Sequence, residues 1–148
     1  MALFTYNPSQ VFLEVSGYRV QGHTNFSLVL DNPTFRTVRG LRGTNARVRE
    51  KNTSGVLQVE LLQTSPTNDL FSEIVQKDSL AGTGRLVVKL KDESGSSVFF
   101  SDNAYLEGFP ALGFSGAAET RIWLINCLSI PLDQFKVGGN YKPAFDLF

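Results

Sequence analysis

Val56-Leu57-Gln58-Val59-Glu60-Leu61-Leu62-Gln63-Thr64-Ser65-Pro66-Thr67-Asn68-Asp69-Leu70 changes its hydrophobic period halfway along. From Gly55 to Leu62 the period is two: Leu57, Val59 and Leu61 share one face of a strand, while Val56, Gln58 and Glu60 share the other. The first face belongs to a core and the second is partly wet. Ser65 then offers a hydroxyl that can cap a helix. Pro66 suits the first helical position, where no amide donor is needed, and Asp69 sits at the positive end of the helix dipole. Leu70, Phe71, Ile74 and Val75 recur at helical spacing opposite Ser72, Glu73, Gln76 and Lys77. The pattern predicts a short amphipathic helix from Pro66 to about Lys77, closed by Gly82-Thr83-Gly84.

Around that junction the chain reads as strands. Val11 to Val15 and Tyr18 to Val20 are β-branched and aromatic runs split by Ser16-Gly17, a hairpin turn. Phe26, Leu28 and Leu30 line one face of the next run, and after Asn32-Pro33 a further run extends from Phe35 to Arg39. Leu86, Val88 and Leu90 alternate with Arg85, Lys89 and Lys91, Asp92 to Gly95 is a turn, and Ser97 to Leu106 returns as the second arm of a hairpin. Arg121 to Leu128 is apolar on both faces, as a central strand covered on each side would be. The fold expected is mainly β, with one flanking helix. The stretch from Pro131 to Phe148 is irregular, and its Phe145 and Phe148 are expected to adhere to something.

At 148 residues, with 42% apolar and 11% aromatic residues, the chain can bury one core. Lys plus Arg is 14 and Asp plus Glu is 14, so global charge argues for neither a nucleic-acid binder nor a polybasic membrane protein. With one cysteine, Cys127, no intrachain disulfide and no cysteine zinc cage can form. No stretch approaches the 18 or so apolar residues of a membrane span, and no basic leader precedes an apolar run, so a soluble protein made in a cytoplasm is expected. His23, the only histidine, sits in the turn-like Gln21 to Asn25 and reads as a surface loop residue. Cys127 lies in the most apolar run and reads as an inert small hydrophobe. Asp69 and Glu73 are explained by the first turn and the wet face of the helix. Gly82-x-Gly84 lacks the third glycine of a dinucleotide site, and no Gly-Lys-Ser/Thr triplet occurs. No enzyme, no metal site and no cofactor is expected.

Charge is segregated locally. Arg36, Arg39, Arg42, Arg47, Arg49 and Lys51 face Glu50 alone. Arg36 and Arg39 end the preceding run, and the others lie on a Gly-, Asn- and Thr-rich excursion from Gly40 to Ser54, which carries a short hairpin at Ala46 to Glu50 at most. Such a cluster binds phosphates or pairs with carboxylates on another copy. With no aromatic in the cluster to stack bases, self-association is the better reading. The excursion, through Leu41, Arg42, Arg47, Val48, Arg49 and Lys51, is expected to be too glycine-rich to hold one shape until assembly orders it.

The strand that passes straight into a Ser-Pro-capped helix, Val56 to Leu70, resembles the tail tube proteins of contractile-tailed bacteriophages. So do Ala46-Arg47-Val48-Arg49 before it, the hairpin from Val87 through Asp92 and Gly95 to Phe99, and Ala104-Tyr105-Leu106 followed by Pro110 and Glu119-Thr120-Arg121-Ile122-Trp123. The ordered set covers roughly residues 6 to 128. The resemblance implies a β-sandwich or open barrel, with a tube-like domain over 1–130 and an extension over 131–148. It implies rings of about six copies whose inner sheets join into one β-barrel, stacked into a tube inside a contractile sheath that conducts the genome from the capsid. Related proteins form the inner tubes of type VI secretion systems and phage-like bacteriocins, and a monomeric nucleic-acid-binding β-barrel is the alternative of a different class. The implied partners are other copies of the chain, the sheath, baseplate and tail terminator proteins, and DNA in transit, with no membrane insertion. The implied location is the virion tail, assembled in the bacterial host cytoplasm. A wall that lets DNA slide should be neutral or acidic, which makes Ser27, Asp31, Gln58 and Glu60 the lumen candidates and the Arg42, Arg47, Arg49 loop the ring-stacking element.

Overall fold

Ser16 and Gly17 adopt φ of 49° and 86°, the pair of positive values that a two-residue hairpin turn with right-handed strand twist requires. The turn joins β1 (Val11–Val15) to β2 (Tyr18–Arg19). β3 (His23–Leu30), β4 (Phe35–Arg39), β5 (Asn45–Arg49) and β6 (Gly55–Leu62) follow, then the helix α1 (Thr67–Ala81), then β7 (Leu86–Asp92), β8 (Val98–Leu106) and β9 (Thr120–Ser129). This computed structural model describes residues 3–140, and the expectation for Phe145 and Phe148 lies outside them.

Seven strands form one antiparallel sheet in the order β2-β1-β7-β8-β9-β6-β3, and β4 and β5 pair only with each other. The outermost strands, β2 and β3, are consecutive in the chain, with only Val20, Gln21 and Gly22 between them. Laid flat, seven strands would hold their edges about 29 Å apart. Three linking residues reach about 14 Å at most. The sheet therefore curls until its ends approach, giving an open barrel. The linker bonds to both sides of the seam: Val20 N–H donates to Leu13 O and Leu62 N–H donates to Gly22 O.

The concave face is the core. Leu13 and Val15, Leu57, Val59 and Leu61, Leu86 and Val88, Phe99, Ala104 and Leu106, and Trp123, Ile125 and Cys127 are buried there. Phe26, Leu28 and Leu30 pack against them from β3. The α1 helix lays Phe71 edge-on to Trp123, with ring centres 5.5 Å apart, and Leu70, Ile74 and Val75 add partly buried contacts. Pro66 already has helical angles, and the Ser65 hydroxyl accepts the Thr67 N–H at 3.2 Å. The same hydroxyl donates to Gln21 O, so one side chain caps the helix and fastens the β2–β3 linker. The linker approaches so closely that a Cβ on Gly22 would lie 2.7 Å from Ser65 Cβ, at a φ of +67°. The helix runs four residues beyond Lys77, to Ala81. It stops where Gly82 turns left-handed and Asp78 accepts the Gly82 and Gly84 amides through its carbonyl and carboxylate.

Three sequence expectations are corrected. The excursion from Gly40 to Ser54 is not shapeless: β4 and β5 make it a paired arm, because Phe35 to Arg39 finds its partner in Asn45 to Arg49. β9 is central but not covered on both faces, since Ile122 is 45% and Leu128 49% exposed. His23 is not a loop residue; a bulge between His23 and Asn25 turns it inward, where it stacks on Phe26 at 4.2 Å. Beyond residue 130 the described chain lies against the barrel as far as Asn140. Phe135 packs edge-on to Phe99, Val98 and Lys136 exchange two backbone bonds, and the Asn140 amide donates to Asp92 and Ser94.

Phe71→Ala should cost about 3 to 5 kcal/mol and Ser65→Ala about 1 kcal/mol; an unchanged melting temperature for Phe71→Ala would remove the helix from the core. His23 should make the fold acid-sensitive. Burial lowers its pKa from the ordinary value, so on descent through that ordinary value the unfolded chain takes up a proton that the folded chain resists, and stability falls. Between about pH 7.5 and 5.5 the melting temperature of the wild type should drop more than that of His23→Gln, and equal drops would refute it.

Candidate assembly interface

The β4–β5 arm leaves the barrel between Leu30, the end of β3, and Gly55, the start of β6. Its base is tied by Asp31 N–H to Ser54 O, by the Ser54 hydroxyl to the Asp31 carboxylate at 2.6 Å, and by Glu50 N–H to Thr34 O. About 17 Å of paired strand follows, ending in the turn from Gly40 to Thr44. Residues opposite one another share a face, so Phe35, Arg39, Arg47 and Arg49 lie on one side and Arg36, Val38, Ala46 and Val48 on the other. Arg47 stacks over the Phe35 ring at 4.0 Å, so an aromatic does adjoin the cationic cluster. Among the described residues Arg36, Arg39, Arg42, Arg49 and Lys51 make no ion pair. Apart from half-buried Val48, every residue of β4, β5 and the turn between them is exposed, and Leu41 at the tip is fully so.

On the barrel, the convex face of β3, β6 and β9 gathers the other expected site residues. Ser27 stands opposite Gln58, and Glu60 stands opposite Asn25 and Ile122. Asp31 lies just past the end of β3, bound to Ser54. The face is not uniformly polar: Val29 is 65% exposed and stands opposite Val56, while Leu124 stands opposite Gln58 and Ile122 opposite Glu60. β3 is also an edge strand with eight residues and pairing on one side only, an unsatisfied template for another strand.

A third feature escaped the sequence reading. At the end of the barrel opposite the arm, a cleft of about 500 Å³ opens between α1 and the loop 107–119, floored by Trp123 and rimmed by Asp69. Arg121, an inward-facing residue of β9 only 7% exposed, organises that loop. Its guanidinium donates to Gly113 O at 2.8 Å, lies 3.7 Å from the Glu119 carboxylate and stacks 5.3 Å from the Phe114 ring. The Trp123 indole N–H donates to Asn68 Oδ1 at 2.9 Å. The signal available was an arginine at an inward position of the most apolar strand, a residue that must be paired when buried.

Chemistry is sparse. Burial pushes the Cys127 thiol up to about 11, and His23 Nδ1 is buried with no hydrogen-bond partner. No group of three or more His, Cys, Asp or Glu converges among the described residues. No helix among them is long and apolar enough to cross a membrane.

No protein-family model matches the chain. Over 149 aligned residues it is 32% identical to "Structural protein ORF10" of Pseudomonas phage KPP10, a match that spans 93% of this chain and 84% of that protein. At this identity and coverage the chain belongs to the family of that bacteriophage structural protein.

Proposed function

We propose that the chain is a non-enzymatic tail tube subunit, of which about six copies close into a ring and successive rings stack into a hollow tube inside a contractile sheath. The reading rests on the kinship with a phage structural protein along nearly the whole chain. The geometry supplies what a repeating subunit needs. An eight-residue edge on β3 can continue the sheet into a neighbour, and closing a ring of such sheets leaves no free edge to aggregate. The arm, projecting with five unpaired cations, is the ring-stacking element through Leu41, Arg42, Arg47, Val48, Arg49 and Lys51. On this reading the partners are the sheath, baseplate and tail terminator proteins, and the place of the chain is the virion tail.

The convex face carrying Ser27, Gln58 and Glu60, with Asp31 at its end, is the proposed lumen wall. It offers DNA no arginine, so passage adds little counterion-release affinity. Negative-stain microscopy of the purified protein should show rings or hollow rods, and a uniform 16.3 kDa monomer by light scattering would refute the reading. Replacing Arg42, Arg47 and Arg49 with Glu should leave the melting temperature within about 3 °C, because exposed arm residues carry little fold stability. Rods should be lost. Normal rods from the triple variant would give the arginines another task. Gln58→Arg with Glu60→Lys should slow genome release at normal tube assembly and more so at low salt, each added phosphate contact steepening the salt dependence; unchanged release would take this face away from the lumen.

A further inference from the structure

The arm tip and the cleft are unlike surfaces at opposite ends of one body. β6 starts beside the arm at Gly55 and ends beside the cleft at Leu62, a span of about 27 Å. Leu41 is a fully exposed leucine on a turn flanked by Gly40 and Gly43, and a Cβ at Gly43 would meet nothing within 4 Å. The loop side of the cleft is apolar and exposed, with Phe109 at 60%, Leu112 at 79% and Phe114 at 72%, while α1 faces it with polar side chains, Ser72 and Gln76 among them. Asp69 at its rim has no ion-pair partner among the described residues, while the one cation in the cleft, Arg121, is already matched by Glu119. The cleft is thus a socket that is apolar on its loop side and floor, with a spare negative charge on its helix side. The tip is an apolar knob with spare positive charges on either side of it, Arg39 and Arg42.

We infer that the cleft between α1 and the loop 107–119 receives the arm tip of another copy of this chain, with Leu41 entering over Trp123 and an arginine of the tip facing Asp69. The inference rests on the tube reading and names the receptor of its stacking element. A two-fold pair joined by this contact would stop at a dimer, whereas a knob and a socket at opposite ends of the body suit a chain of copies. They join copies head to tail, and the contact repeats without closing. Arg121 takes on a defined place: it holds the loop 107–119 against the barrel so that the socket exists before the tip arrives.

The test is a pair of cysteines, Leu41→Cys and Leu112→Cys, in the full chain. Cys127 is 1% exposed and its thiol titrates near 11, so it stays silent. Rods of the double variant, oxidised gently and run without reductant, should give a ladder of dimer, trimer and higher species. Each single variant should stay monomeric. Leu41→Asp should raise the protein concentration needed for rods about tenfold or more at an unchanged melting temperature. Rods of the double variant without a ladder overturn the tip-to-cleft contact and leave the tube reading standing. If Leu112→Cys is shielded from a thiol reagent in those rods while no ladder forms, another segment fills the cleft, and the inference fails equally. A protein that forms neither rings nor rods under any condition overturns both.

Discussion

Closure of the sheet across Val20-Gln21-Gly22 is the constraint from which the remaining architecture follows. Because β2 and β3 are neighbours in sequence and opposite edges in the sheet, the seven strands must curl, and curling gives the sheet an inside and an outside. The inside holds a single core. The linker itself is held by the Ser65 hydroxyl and by Thr67 Oγ1, which accepts the Gln21 N–H at 3.0 Å, so the first turn of α1 clasps the seam. Helix capping and barrel closure are therefore one event. This is why one helix, with Phe71 and Thr67 as its fully buried side chains, can matter to a sheet of seven strands.

Most of the strand and helix pattern was legible because burial here is one-sided and alternation reports it. Leu57, Val59 and Leu61 were assigned to the core from period alone, and all three are fully buried. Legibility failed where the period itself is interrupted. In β8, Phe99 and Ser101 point inward, but a bulge between Asn103 and Ala104 shifts the parity, so that Ala104 and Leu106 are buried and Tyr105 is turned out. The same device in β3 carries His23 inward. β9 was read as doubly covered because its hydrophobicity is two-sided, and hydrophobicity reports what a residue tolerates rather than what covers it. The arm was underestimated since its pairing joins Phe35 to Arg39, read as an ordinary strand, with a segment whose arginines gave no β signal. The cleft was invisible because it depends on Arg121 drawing together Gly113, Phe114 and Glu119, contacts that no local pattern encodes.

A chain of this size leaves a conspicuous amount of apolar surface in water: Val29, Ile122 and Leu128 on the convex face, and Phe109, Leu112 and Phe114 on the loop. Scattered exposed apolar side chains such as Leu80 and Val137 need no explanation, whereas neighbours on one loop such as Phe109, Leu112 and Phe114 do. Burial at about 25 cal/mol per Å² makes each such group a modest contributor, so affinity must come from many of them engaged together. The arm cations lead to the same conclusion from the electrostatic side. An exposed ion pair is worth about 0 to 1 kcal/mol, too little to hold a joint and enough to orient one.

What the arm's structure changes is the entropy of joining. An excursion that ordered only on contact would surrender about 1 to 2 kcal/mol per residue at that moment, more than its few ion pairs return. The paired arm has already met most of that cost within its own chain. An isolated two-stranded hairpin is only marginally stable, and this one is steadied at its base by Asp31, Ser54 and Thr34, and along its length by Arg47 on Phe35. It is therefore presented in shape but free of any anchoring side-chain contact at its tip. On the proposed tube reading, weak contacts made by preformed elements can be tried and released until every copy agrees, and only their simultaneous engagement makes the joint firm. The uncommitted leucine and arginines of the tip fit the proposed joint: side chains that found partners within the chain would leave nothing with which to join another copy.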